Sequence, residues 1–315
     1  MDWMGAEGFD AALNLTERLN HLSSTKRREL ARVLEVIFDE VERYQATKTT
    51  ERKRRGKILK VILFGSYARG NWVEDRLSGY RSDYDLLIVV NDQIFAESED
   101  LWLDLDDRLT QLNIAGHIKT PTNAIVHSLR DINNQLARGR PFFVDLFRDG
   151  KTLYEADGHP LAETTMLTAQ EIKEEAERYY REWMPGAIEL LALAEICLAR
   201  GSKNLAAFNL HQATERTYHT FLLTLTLYSP KLHRIKTLRS KAEDIDTRLI
   251  GAWPRDTRLG RRRFELLSRA YVEARYSPKF EITNEEIGWL AERVTSLQGL
   301  VQKICLERLE CLPKL

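Results

Sequence analysis

Cysteine is scarce in this chain. Three occur among 315 residues, Cys197, Cys305 and Cys311, odd in number, widely spaced and set among Leu, Ile and Val. That pattern excludes a disulfide framework and offers no zinc-ligand spacing, so reduced thiols are expected. An excess of one charge is lacking too: 47 Lys and Arg face 47 Asp and Glu. No global field then draws the chain to nucleic acid or to a membrane, and recognition has to be local. No apolar run approaches the length of a bilayer span, and the start MDWMGAEGFDAALNL has neither a basic leader nor an apolar core. The expectation is a cytoplasmic protein with no membrane partner.

What is present is an ordinary globular composition, 43% hydrophobic and 30% charged, long enough for two domains each with its own core. Its densest chemistry lies in residues 57–91, KILKVILFGSYARGNWVEDRLSGYRSDYDLLIVVN. The run from Val61 to Phe64 reads as a buried strand that breaks at Gly65-Ser66 into the first turn of a helix, Tyr67-Ala68-Arg69-Gly70. Gly65 allows close backbone approach, Ser66 adds a hydroxyl donor, and the helix start favours an anion, so a polyphosphate is the natural guest. Farther on, Ser82-Asp83-Tyr84-Asp85 enters the strand Leu86-Leu87-Ile88-Val89-Val90. Alternation puts Asp83 and Asp85 on one face, roughly 6.6 Å apart at Cα, and Tyr84 on the other, where it should pack. Two carboxylates so placed repel unless a cation lies between them, which points to magnesium and to phosphoryl or nucleotidyl transfer. Read alone, GSYARG is also a plain turn and SDYD a polar strand entry; together and in this order they favour a nucleotide site.

The GSYARG and SDYDLLIVV motifs resemble the G-S-x-x-x-G and D-x-D signature of the DNA polymerase β-like nucleotidyltransferases, especially the minimal and kanamycin nucleotidyltransferase-like domains. The resemblance implies that Gly65, Ser66, Arg69, Gly70 and Ser82 bind nucleotide. It implies that Asp83 and Asp85 hold one or two Mg2+ ions, and that a nucleoside triphosphate, ATP foremost, is the substrate. The family's third carboxylate sits on a later strand; its best match is Asp145 in FFVDLF, with Asp149 close by. Asp145 would then share the metal and help deprotonate an acceptor hydroxyl, while pyrophosphate leaves. The loop after Gly70 is long, and its Trp72, Glu74, Asp75, Arg76 and Tyr80 are candidates for shaping the acceptor pocket.

Around this stretch the pattern predicts an α+β arrangement. A helix begins at Ser24, which serves as its cap, with Leu30, Val33, Leu34, Ile37, Val41 and Tyr44 on one stripe. Residues 48–60 form a basic run that reads as a solvated loop, or less simply as a phosphate or RNA contact. A helix over 98–112, a strand over 122–127, a short helix over 130–137, a fourth strand over 140–147 and an edge strand over 151–154 complete a small mixed sheet with flanking helices. The expected nucleotidyltransferase domain spans 24–157.

After a polar stretch the chain reads as helices only: 168–184, 186–199, 204–227, 234–245, 262–276 and 284–312, divided at Pro185, Gly201, Pro230, Pro254 and Pro278. An all-α up-and-down bundle over 166–315 is predicted. Its segments AAFNLHQATER, LHRIKTL and YVEARY resemble a HEPN domain. An arginine followed after four to six residues by a histidine, the order that many HEPN ribonucleases use, does not occur there, so ribonuclease activity is not carried over. The likeness to the helical half of kanamycin nucleotidyltransferase implies a homodimer. His211, Glu215 and His219 fall one turn apart beside Tyr218 and read as polar groups satisfied within the bundle or facing a groove; a metal site would need a further ligand. Arg255, Arg258, Arg261, Arg262 and Arg263 read as a solvated loop or a phosphate contact. Besides transfer to a small molecule, the sequence leaves open transfer to protein or RNA, and a nucleotide-binding module without turnover.

Overall fold

The computed structural model describes residues 18–74, 81–230 and 232–312; Asp75, Arg76 and Tyr80 of the long loop lie outside them. The described residues form two compact units, divided in the chain between Met166 and Leu167. Taken together they are a small mixed sheet followed by a helical region.

In the first unit, helix α1 (Ser24–Thr47) is capped by the Ser23 hydroxyl, which accepts from the Lys26 amide. The cap is thus one residue earlier than expected. A one-turn helix α2 (Glu51–Arg54) leads to strand β1 (Ile58–Phe64), every residue of which is buried. The five-residue helix α3 (Gly65–Arg69) follows, then β2 (Tyr84–Val90), also buried throughout. Next come α4 (Gln93–Ala96), α5 (Glu99–Ile114), β3 (Thr122–Ser128), α6 (Leu129–Ala137), α7 (Pro141–Asp149) and β4 (Lys151–Glu155). The strands lie in the order β3-β2-β1-β4, with β1 antiparallel to β2 and β4, and β2 parallel to β3. Val61, Leu63, Leu86, Ile88 and Val90 pack with Leu30, Val33 and Ile37 of α1 and Leu101, Leu105 and Leu109 of α5. Alternation sends Ile62, Phe64, Asp85, Leu87 and Val89 to the other face, where Phe142 of α7 meets Phe64 edge-on at 5.8 Å.

The predicted fourth strand over 140–147 is a helix. Pro141 occupies its first turn, where its missing N–H costs nothing, and the buried Phe143 and Leu146 are spaced for a helical face. The basic run over 48–60 is mostly exposed, with Lys48 paired to Asp100 at 2.8 Å and Arg55 to Glu51 at 2.5 Å, while Lys60 lies buried within β1 and pairs with Glu155 across the β1–β4 pair.

In the second unit, α8 (Ala169–Ala199) carries a capping box between Thr168 and Glu171 and runs unbroken through Pro185, where the sequence predicts a division. The reason is tertiary. The Arg216 Nε donates to the Trp183 carbonyl at 3.0 Å and its Nη2 to that of Glu182 at 3.2 Å, bracing the helix in the turn just ahead of the proline. Gly186 makes room, since a Cβ there would lie 2.6 Å from Arg216 Nε. Helix α9 (Lys203–Thr226) is the central element, packed by α10 (Ile235–Ile245), a 3-10 turn (Thr247–Ala252), α11 (Arg258–Tyr276) and α12 (Asn284–Cys311). The fully buried Trp253 donates its Nε1 hydrogen to Tyr218 Oη at 2.9 Å. No helix among the described residues is long and apolar enough to cross a membrane.

Candidate functional site

The end of β1 and the start of β2 meet in a tight corner. Phe64 pairs with Asp85, so the next residue, Gly65, lies against the Asp85 side chain. Gly65 has a φ of +74°, and a methyl group on it would lie 2.6 Å from Asp85 Oδ2; only glycine suits both demands. Asp85 is buried, 3% exposed, and Asp83 half-buried. Ser66 is buried as well, and its Oγ has no hydrogen-bond partner among the described residues. Thr122 Oγ1 and Ser268 Oγ are buried without a partner among the described residues as well, and what sets Ser66 apart is its place beside the Gly65–Asp85 corner. Asp83 and Asp85 offer the hard carboxylate oxygens that suit magnesium, while the Ser66 hydroxyl and the backbone at Gly65 are groups of the kind that can donate to a phosphate. These residues fit the expected cation: Asp83 and Asp85 would hold it.

The flank of this corner is closely packed and hydrogen-bonded. Tyr67 stacks on Trp72 with centroids 5.1 Å apart and leans on Tyr84 at 4.6 Å. Lys26 Nζ donates to Tyr67 Oη at 3.1 Å, to Glu74 Oε1 at 2.8 Å and to Thr120 Oγ1 at 2.6 Å. Tyr84, on the opposite strand face as alternation requires, donates to Glu29 Oε2 at 3.1 Å, and burial pushes its phenol pKa up.

The other predicted site residues are placed differently. Ser82 is buried, but its hydroxyl accepts from the Val73 amide at 3.0 Å and clasps the two ends of the long loop. Gly70 ends α3 in the left-handed conformation, and Arg69 is exposed on the last turn of α3. Helix α3 is too short for the dipole invoked from the sequence, so the corner depends on Gly65 and Ser66 themselves. Asp145 lies on the exposed side of α7, 57% accessible, with Arg148 Nη1 at 2.8 Å; it is not on a strand beside Asp83 and Asp85. Asp149 is gripped by Arg148, which holds its carboxyl below the usual range, with Arg69 and Lys151 contributing. Among the described residues no group of three or more His, Cys, Asp or Glu is arranged to hold a metal ion. The strand next to Asp85 instead presents Asn123, whose Nδ2 donates to Asp83 Oδ2 at 2.8 Å. Sequence reasoning sought a third carboxylate and so passed over an amide.

In the second unit, Glu215 is the centre of a cluster. His233 Nδ1 lies 3.0 Å from Oε1, Gln212 Nε2 donates to Oε2 at 3.2 Å, and His211 and His219 approach at 3.7 and 3.8 Å. His219 Nδ1 shares a hydrogen bond of 2.6 Å with Ser229 Oγ, and the His233 ring stacks on Tyr271 at 4.9 Å. Burial lowers the His211 pKa to about 3 and that of His219 to about 4, and it raises that of Glu215. Both buried rings are therefore neutral at pH 7. The arginines near 260 are mostly tied into the fold: Arg255 pairs with the buried Glu243, Arg262 with Glu286 at 3.7 Å, and Arg263 with Glu285 at 2.5 Å.

Comparison with known proteins agrees with this division. Residues 46–158 match the family described as Polymerase beta, Nucleotidyltransferase, and residues 180–304 match the HEPN domain. A stretch of 37 residues is 57% identical to a Methanocaldococcus jannaschii protein named "Putative protein adenylyltransferase MJ0604"; it covers 12% of this chain and 31% of that relative. The chain joins a nucleotidyltransferase domain of the polymerase beta type to a HEPN domain.

Proposed function

We propose that the first unit transfers a nucleoside monophosphate from a nucleoside triphosphate, ATP foremost, to an acceptor hydroxyl. A bond forms between the acceptor oxygen and the α-phosphorus, the α–β bridging bond breaks, the hydroxyl proton passes to solvent, and pyrophosphate departs. The observation that carries this reading is the Gly65–Asp85 corner with the buried Ser66 Oγ beside it, which has no partner among the described residues. Ser66 and the backbone at Gly65 would seat the terminal phosphates, and Asp83 and Asp85 would hold Mg2+. When bound, that ion supplies positive charge to the phosphate oxygens as negative charge moves to the leaving group. Asp145, solvent-exposed on α7 and paired with Arg148, has no part in this reading.

The acceptor we favour is a protein hydroxyl, because the matching relative is named as a protein adenylyltransferase. Incubating the full chain with Mg2+, α-labelled ATP and cell extract tests both statements. Pyrophosphate release with label entering protein is the expected result. Label in small molecules or RNA would replace the acceptor assignment, and tight Mg-ATP binding with no pyrophosphate release in any extract would overturn the transfer.

A further inference from the structure

The third corner of the Asp83–Asp85 cluster carries no charge. Strand β3 runs parallel to β2 with Asn123 opposite Asp85, so alternation turns Asn123 towards the face that bears both aspartates. Its amide donates to Asp83 Oδ2 at 2.8 Å. An ionised carboxylate can only accept, which fixes the end of the amide that faces it.

Resting on the nucleotidyl-transfer reading above, we propose that Asn123 is a positioning residue of this site: it orients Asp83 for the cation and keeps the cluster at two negative charges. An aspartate at 123 would put a third carboxylate within hydrogen-bonding distance of Asp83, a like-charge contact that requires a tightly held cation. With asparagine the two remaining carboxylates balance a single divalent ion. Magnesium is commonly held by one or two carboxylates together with substrate phosphates, so the site takes its cation with the triphosphate and binds it weakly alone. The hydrogen bond from Asn123 removes one rotational choice from Asp83 before the substrate arrives.

The test compares wild type, Asn123→Asp, Asn123→Ala and Asp83→Asn by calorimetric titration with Mn2+ in the absence of nucleotide, by steady-state pyrophosphate release from Mg-ATP, and by thermal melting. Asn123→Asp is expected to bind free Mn2+ about tenfold tighter than wild type. Asn123→Ala is expected to lose about tenfold in kcat with the KM for Mg-ATP within about twofold, because orientation and not substrate contact is lost. Asn123→Gln moves the same amide by one methylene and gives the same split, which covers the case of an unstable alanine variant. Unchanged Mn2+ affinity in Asn123→Asp, or wild-type kcat in Asn123→Ala, overturns the assignment and leaves Asn123 an ordinary strand residue. If Asp83→Asn keeps wild-type pyrophosphate release, the transfer reading itself falls and the role of Asn123 falls with it.

Discussion

Two buried carboxylates, Asp85 in the first unit and Glu215 in the second, keep contrasting company. Around Glu215 the polar atoms answer one another: Gln212 and His233 donate to it, and His219 has Ser229. Around Asp85 a neighbouring hydroxyl, Ser66 Oγ, is buried without a partner among the described residues, and the backbone of Gly65 is pressed against the carboxylate in a conformation that few residues adopt. A cluster that satisfies itself contributes chiefly to the stability of its fold. A corner that keeps a buried hydroxyl without a partner among the described residues gives up stability that a ligand bonding it would restore.

Substitution should separate the two most clearly at the aspartates. Asp83→Asn combined with Asp85→Asn is expected to lower pyrophosphate release by about a thousandfold. The melting temperature should hold or rise, because two like charges are neutralised. A fall in both would make this pair structural, like the helical cluster.

Next in size is the pH response of the second unit. Burial keeps His211 and His219 unprotonated in the fold, whereas in the unfolded chain they take up protons below about pH 6.5. Their contribution is complete above that value and is lost as the pH falls towards 4 and then 3. At pH 5 the loss is about 2 kcal/mol per histidine, offset in part by Glu215, whose raised pKa works in the opposite direction. Denaturant unfolding of the full chain between pH 7 and pH 5, followed by a probe in the helical unit, should show the decline.

Gly65→Ala tests the corner through its backbone. A φ of +74° and a clash with Asp85 Oδ2 should together cost about 2 kcal/mol of stability and displace the carboxylate, with activity falling at least in proportion. Unfolding midpoints and pyrophosphate release read the two effects separately. The smallest effect is Ser66→Ala, which removes a hydroxyl with no partner among the described residues. Stability should change by less than about 0.5 kcal/mol, while the KM for the triphosphate rises about fivefold. If Ser66→Ala is instead strongly destabilising, the hydroxyl has a partner in the fold and the contrast with Glu215 weakens.

Much of the molecule could be read before any coordinates. Strand β1, the Gly65 turn, strand β2 and the helices after residue 168 follow from periodicity, glycine and capping residues, because those signals are local. The failures share a cause. FFVDLF is apolar and short, so periodicity does not tell a strand from a helix there; Pro141 at the helix start and the packing of Phe143 and Leu146 decide it. Pro185 looks like a stop until Arg216, 31 positions later, donates to the carbonyls just ahead of it.

The chain's order of residues therefore settled where the Gly65-Ser66 turn and a pair of aspartates would stand, since each depends on neighbours within a few positions. Which side chain completes that pair was left to the parallel alignment of β2 with β3, which brings Asn123 to Asp83 and leaves Asp145 facing solvent on a helix. An amide has no charge to advertise it in a sequence, and strand register is a property of two segments at once.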